Sequence, residues 1–389
     1  MGQNIIYMDN AATTAVRDEV VQEMLPFLQG AYGNPSSIYK LGREAKKAVD
    51  DARDRVAAAL GAHSEEIYFT SGGTEANNLA VKGMINQGQG KMHLITSAVE
   101  HHAVMDVCQE LEKEGLEVTY LPVDQYGMVD PEEVRRAIKP ETVLITIMAA
   151  NNEVGTVQPI EVIGKIAREY GVRFHTDAVQ AVGSIPVEVN RINADLLSLS
   201  GHKFHGPKGV GALYIRKGLS IQPMWRGGAQ ERKIRPGTEN VHGIVGLGKA
   251  LELASQEVET KGEKLTQLRD KLIKGLLAEE EVFLNGHPTR RLPGNVNVSI
   301  RYVEGESLLL SLDMEGVAAS SGSACTSGSL EPSHVLIAMG RDHETAHGSL
   351  RFSLGKYNTE EEVDRVLEIL PGLIRRLRSM SPVYQGKKG

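Results

Sequence analysis

Three short stretches carry residues whose types and spacing could do chemistry. Ser71-Gly72-Gly73-Thr74-Glu75-Ala76 follows the strand-like run Ile67–Thr70 and opens a helical pattern. Backbone N–H groups at a helix start, glycines that permit close approach and a hydroxyl make a cradle suited to one phosphate. The same string could also be a turn with an N-cap. His175-Thr176-Asp177-Ala178-Val179-Gln180 ends the strand-like Val172–Phe174, where a carboxylate could cap a helix or hold a cationic ring nitrogen. Ser200-Gly201-His202-Lys203 follows Leu196–Leu199 and runs on through His205, Gly206, Pro207, Gly209 and Gly211. A lysine fixed just past a buried strand is poorly solvated, and desolvation lowers an amine pKa and favours imine formation.

A phosphate cradle, a carboxylate for a pyridinium nitrogen and a Schiff-base lysine are together the parts of a pyridoxal-phosphate (PLP) site. Enough chain separates Asp177 from Lys203 for one connection and the next strand. Phosphate-loop nucleotide binding competes poorly, because no Gly-Lys-Ser/Thr follows a glycine loop.

Positioning these groups requires parallel strands whose carboxyl ends meet. Strand-like runs fall at Ile67–Thr70, His93–Ser97, Val118–Leu121, Val143–Met148, Val172–Thr176, Leu196–Ser200 and Gly211–Ile215. Helical patterns lie at Ala76–Gly83, Ala103–Glu114, Pro131–Ile138 and Ile160–Tyr170, several stopped by glycine. Such alternation predicts an α/β domain around a mostly parallel sheet, with ligands beyond the strands' carboxyl ends. A long charged helix over Glu252–Leu277 leads into a second unit with strands at Val296–Ile300 and Leu350–Leu354 and helices at Gly305–Asp313 and Thr359–Arg376. The charged stretch Glu257–Lys274 is expected to be a solvated helix face, and the tail from Ser379 to be frayed.

The 389 residues suffice for two or three apolar cores without disulfide or metal staples. A net charge of −7 argues against general nucleic-acid binding. No apolar run approaches the roughly 18 residues of a membrane span, and no signal peptide is visible. Two cysteines cannot build a disulfide framework, so a reducing cytoplasm is expected. Cys108 follows the helical stripe Ala103, Val104, Val107, Leu111 and reads as core. Cys325 differs. It lies in Ala318–Leu330, AASSGSACTSGSL, where ten of 13 residues are Ala, Ser or Gly and little apolar surface can be buried.

The strings HTDAVQAVG from His175 and SGHKFHGPKGVG from Ser200 resemble the class V aminotransferase group of fold-type I PLP enzymes. Further strings resemble the cysteine desulfurases of the NifS/IscS kind: YMDNAATT from Tyr7, GNPSS from Gly33, TSGGTEANN from Thr70 and EHHAV from Glu100. NNEVG from Asn151, RPGTEN from Arg235, SSGSACTSG from Ser320 and LRFSLG from Leu350 extend the likeness to about Leu370. The resemblance implies a fold-type I α/β architecture: a large PLP-binding domain (15–255) with a mostly parallel mixed sheet, a smaller α+β domain (1–14 and 256–378) carrying the cysteine loop, and a flexible tail (379–389). It also implies a homodimer that takes L-cysteine and hands sulfur to an iron–sulfur scaffold or another acceptor protein.

By the same resemblance, Lys203 would carry PLP and shuttle protons, Asp177 would pair with the ring nitrogen and Gln180 would bond the ring phenolic oxygen. His101 would stack on the ring. Gly73 and Thr74, with Ser200 and His202, would hold the phosphate, joined by Thr238 from the other subunit. Asn152, which would also touch the cofactor, and Arg351 would fix the substrate, arginine matching a carboxylate bidentately. The Cys325 thiolate would attack the sulfur of bound cysteine, leaving a persulfide and releasing alanine. A selenocysteine lyase, or a class V enzyme for another amino acid, is the alternative.

His343-Glu344-Thr345-Ala346-His347 is a literal zinc-protease string, but Gly348 and a strand follow at once. Glu368, a conceivable third ligand, precedes Leu370-Pro371, which is expected to end its helix shortly. No metal site is expected.

Overall fold

The computed structural model describes residues 5–85, 92–321, 332–381 and 384. A short strand β1 (Ile6–Tyr7) precedes helices α1 (Asp18–Leu28) and α2 (Lys40–Leu60). The alternating section begins with β2 (Ile67–Thr70), α3 (Gly73–Ile85), β3 (His93–Ser97), α4 (His102–Lys113), β4 (Glu117–Leu121) and α5 (Pro131–Ala137). It continues through β5 (Thr142–Thr146), α6 (Ile160–Glu169), β6 (Arg173–Asp177), the one-turn α7 (Val189–Ile192), β7 (Leu196–Ser200) and β8 (Gly211–Ile215). Beyond it come α8 (Val241–Leu276), β9 (Val282–Leu284), β10 (Asn295–Ile300), α9 (Gly305–Met314) and β11 (Val317–Ala318). The chain closes with α10 (His334–Ala338), α11 (His343–His347), β12 (Ser349–Ser353) and α12 (Glu360–Met380).

Seven strands form one sheet in the order β2-β8-β7-β6-β5-β3-β4. Only β8 runs against the others. The expected α/β sheet is therefore present, and β3, β7 and β8 are buried along their whole length, as strands covered on both faces must be. Six strands running one way bring the ends of β2, β3, β5, β6 and β7 to the same edge, which is where the chemistry-bearing residues begin.

A second apolar core forms around the antiparallel sheet β12-β10-β9 and joins Val296, Val298, Leu350 and Phe352 to Val363, Val366, Leu370 and Ile374 of α12. Helix α8 serves both cores. Its first half buries Ile244, Leu247 and Leu251 against the large sheet's core, and its second half buries Leu265, Leu268 and Leu272 in the other. Its 36 residues span about 54 Å.

Three expectations need correction. Helix α12 passes through Pro371 and runs to Met380, including Ser379, because its buried stripe outweighs one lost backbone bond. The stretch Glu257–Lys274 is not wholly solvated: Arg269 is buried, and Glu257 accepts from Arg17 and Lys356. Helices α1 and α2 have no counterpart in the periodicity reading. The Ala318–Leu330 loop falls largely outside the described residues, as does most of the tail.

Gly211, at the start of β8, shows how closely the sheet edge is fitted. A Cβ there would fall 2.6 Å from Leu199 O and 2.8 Å from the Gly72 backbone. Gly211→Ala should therefore push the Ser71–Gly73 turn outward and cost about 1–3 kcal/mol. Thermal denaturation should show a lower midpoint and poorer cofactor retention; an unchanged midpoint would refute the tight fit.

Candidate active site

The carboxyl ends of the parallel strands surround a cavity of about 300 Å³. Ten residues singled out in the sequence line it: Gly73, Thr74, His101, Asn152, Asp177, Gln180, Ser200, His202, Lys203 and Arg351. Asp177 ends β6 and is buried. Its Oδ2 accepts from Asn77 Nδ2 at 2.6 Å and its Oδ1 from the Val179 N–H at 3.0 Å. Lys203 stands in a helical turn after β7, and its Nζ donates to Ala11 O at 2.5 Å and Ala12 O at 2.9 Å. Gln180 Nε2 donates to the same Ala11 O at 2.9 Å.

The cradle lies where β2 gives way to α3. The first intrahelical bond there joins Ala76 N–H to Gly72 O at 3.1 Å, so the N–H groups of Gly73 and Thr74 precede the helical ladder. A Cβ on Gly73 would lie 2.7 Å from Val179 Cγ2 and 3.6 Å from Ser200 Cβ, so glycine keeps this corner open. The donor set suits a planar pyridine bearing a phosphate and an aldehyde: helix-start N–H groups with two hydroxyls, a buried carboxylate, and an amine.

The histidines around the cavity are kept neutral. Burial pushes His202 down to about 4, with Lys203 and Lys208 adding to the fall, and its Nδ1 lies 3.1 Å from Thr13 Oγ1. Burial also lowers His101 against the opposing pull of Asp177. His101 caps α4 by accepting the Ala103 N–H on Nδ1 at 3.0 Å, so the neutral ring holds its proton on Nε2. Behind it, Glu100 is wholly buried, and desolvation pushes its carboxyl up to about 8 despite bonds from Ser97 Oγ and the Met148 N–H.

Arg351 on β12 reaches the cavity from the second core. Nη1 donates to Asn152 O at 3.0 Å and Nη2 to Asp9 Oδ1 at 2.9 Å. Its buried Nε has no hydrogen-bond partner among the described residues, which leaves a donor for an incoming carboxylate. Thr238 is exposed and does not line this cavity, and Cys325 lies outside the described residues. Cys108 is buried in core, and burial pushes its thiol up to about 12. His343 and His347 are exposed ends of a five-residue helix, and no potential metal cluster occurs among the described residues.

The class-V aminotransferase family model matches residues 6–366. The cysteine desulfurase IscS of Methanosarcina thermophila is 61% identical over 380 residues, 97% of this chain and 94% of that protein. The IscS of Dictyoglomus turgidum is 55% identical over 383 residues, 98% of this chain and 97% of its own. The chain belongs to the cysteine desulfurases of the class-V aminotransferase family. A solved NifS-like protein is similar at TM-score 0.91 and 40% identity, over 96% of this chain and 100% of that one. A structure titled SspA in complex with cysteine gives TM-score 0.81 and 38% identity, over 91% of this chain and 100% of its own.

Sequence reasoning missed Asn77, Glu100 and Asp9 as site residues in this desulfurase chain. Asn77 sits on α3 a full turn after the cradle, so helical spacing from Gly73 could have found it.

The raised Glu100 carboxyl makes a stability prediction. Its protonated form in the fold contributes stability that is whole below about 4.5 and lost as pH rises through about 8. Glu100→Gln copies the protonated group and should flatten that slope, gaining on the parent as pH rises from 5 to 9 in thermal denaturation. Parallel curves would refute it. His202 has the opposite sign: stability present above 6.5 is lost as pH falls toward about 4.

Proposed function

We propose that the chain works as a PLP-dependent cysteine desulfurase that converts L-cysteine to L-alanine and collects the sulfur on Cys325 as a persulfide. The observation that carries this reading is the convergence of Lys203, Asp177, His101 and Arg351 on one cavity. PLP held there supplies a carbon that condenses with amines and a ring that takes up the electron pair left at the substrate Cα. Gly73, Thr74, Ser200 and His202 hold its phosphate, Asp177 its ring nitrogen and Gln180 its phenolic oxygen. Lys203 anchors it and moves the proton at the substrate Cα. His101, neutral with its proton on Nε2, stacks on the ring and assists that transfer. Arg351 and Asn152 orient the substrate carboxylate.

The segment bearing Cys325 leaves and rejoins the described structure beside this cavity, which supports its role. Ser320 N–H donates to Arg351 O at 3.1 Å, and Arg351 N–H donates to Ser320 O at 2.6 Å. On the far side, Ser333 Oγ donates to Glu153, and His334 Nε2 bonds Glu100 O at 2.9 Å.

The same reading makes the enzyme a cytoplasmic homodimer in which Thr238 reaches the partner's phosphate site. Exposed Leu28, Tyr32, Ile38, Tyr39 and Trp225 support a covered surface. So does Glu239, whose buried Oε2 finds no partner among the described residues. No helix among the described residues is long and apolar enough to cross a membrane. Two apolar cores support a large unit over 15–255 and a smaller one over 1–14 and 256–378. The sulfur goes to an acceptor protein, an iron–sulfur scaffold being the proposed recipient.

Purified protein given cysteine should release alanine and, with a thiol reductant, sulfide in equal amount. Cys325→Ser should keep the PLP absorbance and lose alanine formation; full turnover would remove Cys325 from the reaction, and strong preference for selenocysteine would favour the lyase reading. Arg351→Lys should raise KM for cysteine by at least tenfold through loss of the planar fork, with PLP content unchanged.

A further inference from the structure

The loop between β8 and α8 carries Thr238, and two acid–arginine pairs hold it, one to the cradle turn and one to β2. Arg235 Nε donates to Glu75 Oε1 at 2.8 Å. The other oxygen, Glu75 Oε2, accepts the Ser71 N–H at 2.7 Å. One buried carboxylate thus joins the loop directly to the turn Ser71-Gly72-Gly73. Burial alone would raise the Glu75 carboxyl, but the bonds from Arg235 and Ser71 outweigh it and hold the group below its ordinary value.

A second pair anchors the same loop a few residues before Arg235. Glu231 accepts Arg53 through both oxygens, at 2.7 and 2.8 Å, and also takes the Phe69 N–H at 2.9 Å. Arg53 in turn donates to Ile67 O at 2.7 Å and lies over the Phe69 ring at 4.6 Å. Ile67 and Phe69 belong to β2, the edge strand of the large sheet, and the buried pair occupies the place of a further strand. Glu231, Arg232 and Lys233 are held at φ of 42°, 54° and 69°. Three successive side-chain-bearing residues stay in that region only when their surroundings fix them.

We infer that Glu75 and Arg235 are positioning residues for the phosphate end of the cofactor site, holding the cradle turn and the Thr238 loop in one fixed relation, with Arg53–Glu231 as the anchor. The inference rests on the proposed reading of the cradle and of Thr238. Its content is selective: loosening the clamp should weaken the hold on a phosphate-bearing ligand and leave the ring's other contacts alone. A purely structural role would weaken both together.

The full chain, stripped of cofactor, is titrated with PLP and in parallel with pyridoxal, which lacks the phosphate. Arg235→Gln should weaken PLP binding roughly tenfold, the scale of one charged hydrogen bond, and leave pyridoxal binding unchanged. Arg235→Lys should recover part of the loss. Thr238→Val should weaken PLP alone, and the double variant Arg235→Gln/Thr238→Val should be little worse than the weaker single one, since both act through one loop. Equal loss for PLP and pyridoxal, no loss for Arg235→Gln, or fully additive losses would overturn the inference. If Thr238→Val binds PLP as the parent does, the reading of Thr238 fails, and a PLP-selective loss in Arg235→Gln still supports the clamp on the cradle. Should Arg235→Gln not fold, Glu75→Gln, which keeps an acceptor for Ser71, makes the same comparison.

Discussion

The amine of Lys203 is held by main-chain carbonyls, Ala11 O and Ala12 O, from near the start of the sequence. This contact joins the N-terminal segment to the lysine turn. On its other side the same N-terminal segment is stitched to β12: Ser353 N–H donates to Met8 O at 2.7 Å, Asn10 N–H to Ser353 O at 3.1 Å, and Ala11 N–H to Ser353 Oγ at 2.8 Å. Thr14 Oγ1 donates to His202 O at 2.9 Å and accepts the His205 N–H at 2.8 Å. One extended segment therefore spans from the second core to the lysine turn of the first.

Burial sets the charge of the cavity walls. His175, behind the site, is pushed down to about 3 and bonds Thr146 Oγ1 and Ser198 Oγ at 2.7 and 3.0 Å. Glu153 is pushed up to about 7, with Ser333 and Arg351 acting against the rise. Neutral imidazoles and raised carboxyls reduce the number of fixed charges beside the cavity. A ligand phosphate or carboxylate then meets oriented donors in a low-dielectric setting, where such bonds are stronger than in water.

The site was more legible in the sequence than its supports were. Ile67–Thr70, His93–Ser97, Leu196–Ser200 and Gly211–Ile215 match their strands residue for residue, because buried strands read as short apolar runs bounded by turn chemistry. Lys203 lies just past Leu196–Ser200 and Asp177 closes β6, one residue past the run Val172–Thr176, so reading the strands also located both residues. Asp9 and Asn77 escaped notice because their value lies in partners more than ninety residues distant, Arg351 and Asp177. Pro371 misled because a local rule about lost hydrogen bonds says nothing of the apolar stripe Val363, Val366, Leu370 and Ile374 that holds α12 in place. Glu75 has no role that its local sequence reveals; only the fold shows its partners, the Ser71 N–H and Arg235.

The arrangement of Arg351 explains why the second core is more than a platform. Its side chain enters the cavity, while its main chain pairs with Ser320, one residue before the last described position ahead of Cys325. The register of β12 is fixed from the other flank by β10, where Asn297 faces Arg351. A one-residue slip would turn the guanidinium to the opposite face of the sheet and shift the start of the cysteine segment with it. The placement of the Arg351 guanidinium and of Ser320 thus depends on one strand register. The buried Asn295 and Asn297, both donating to Glu153 O at 3.1 Å, tie that register to the Asn151–Gly155 turn of the large sheet. Apolar contact also joins the two parts, through α8 and through Val99 and Val154 packed with Val335, Leu336 and Met339, and these polar bonds add a single alignment where apolar contact alone would tolerate sliding.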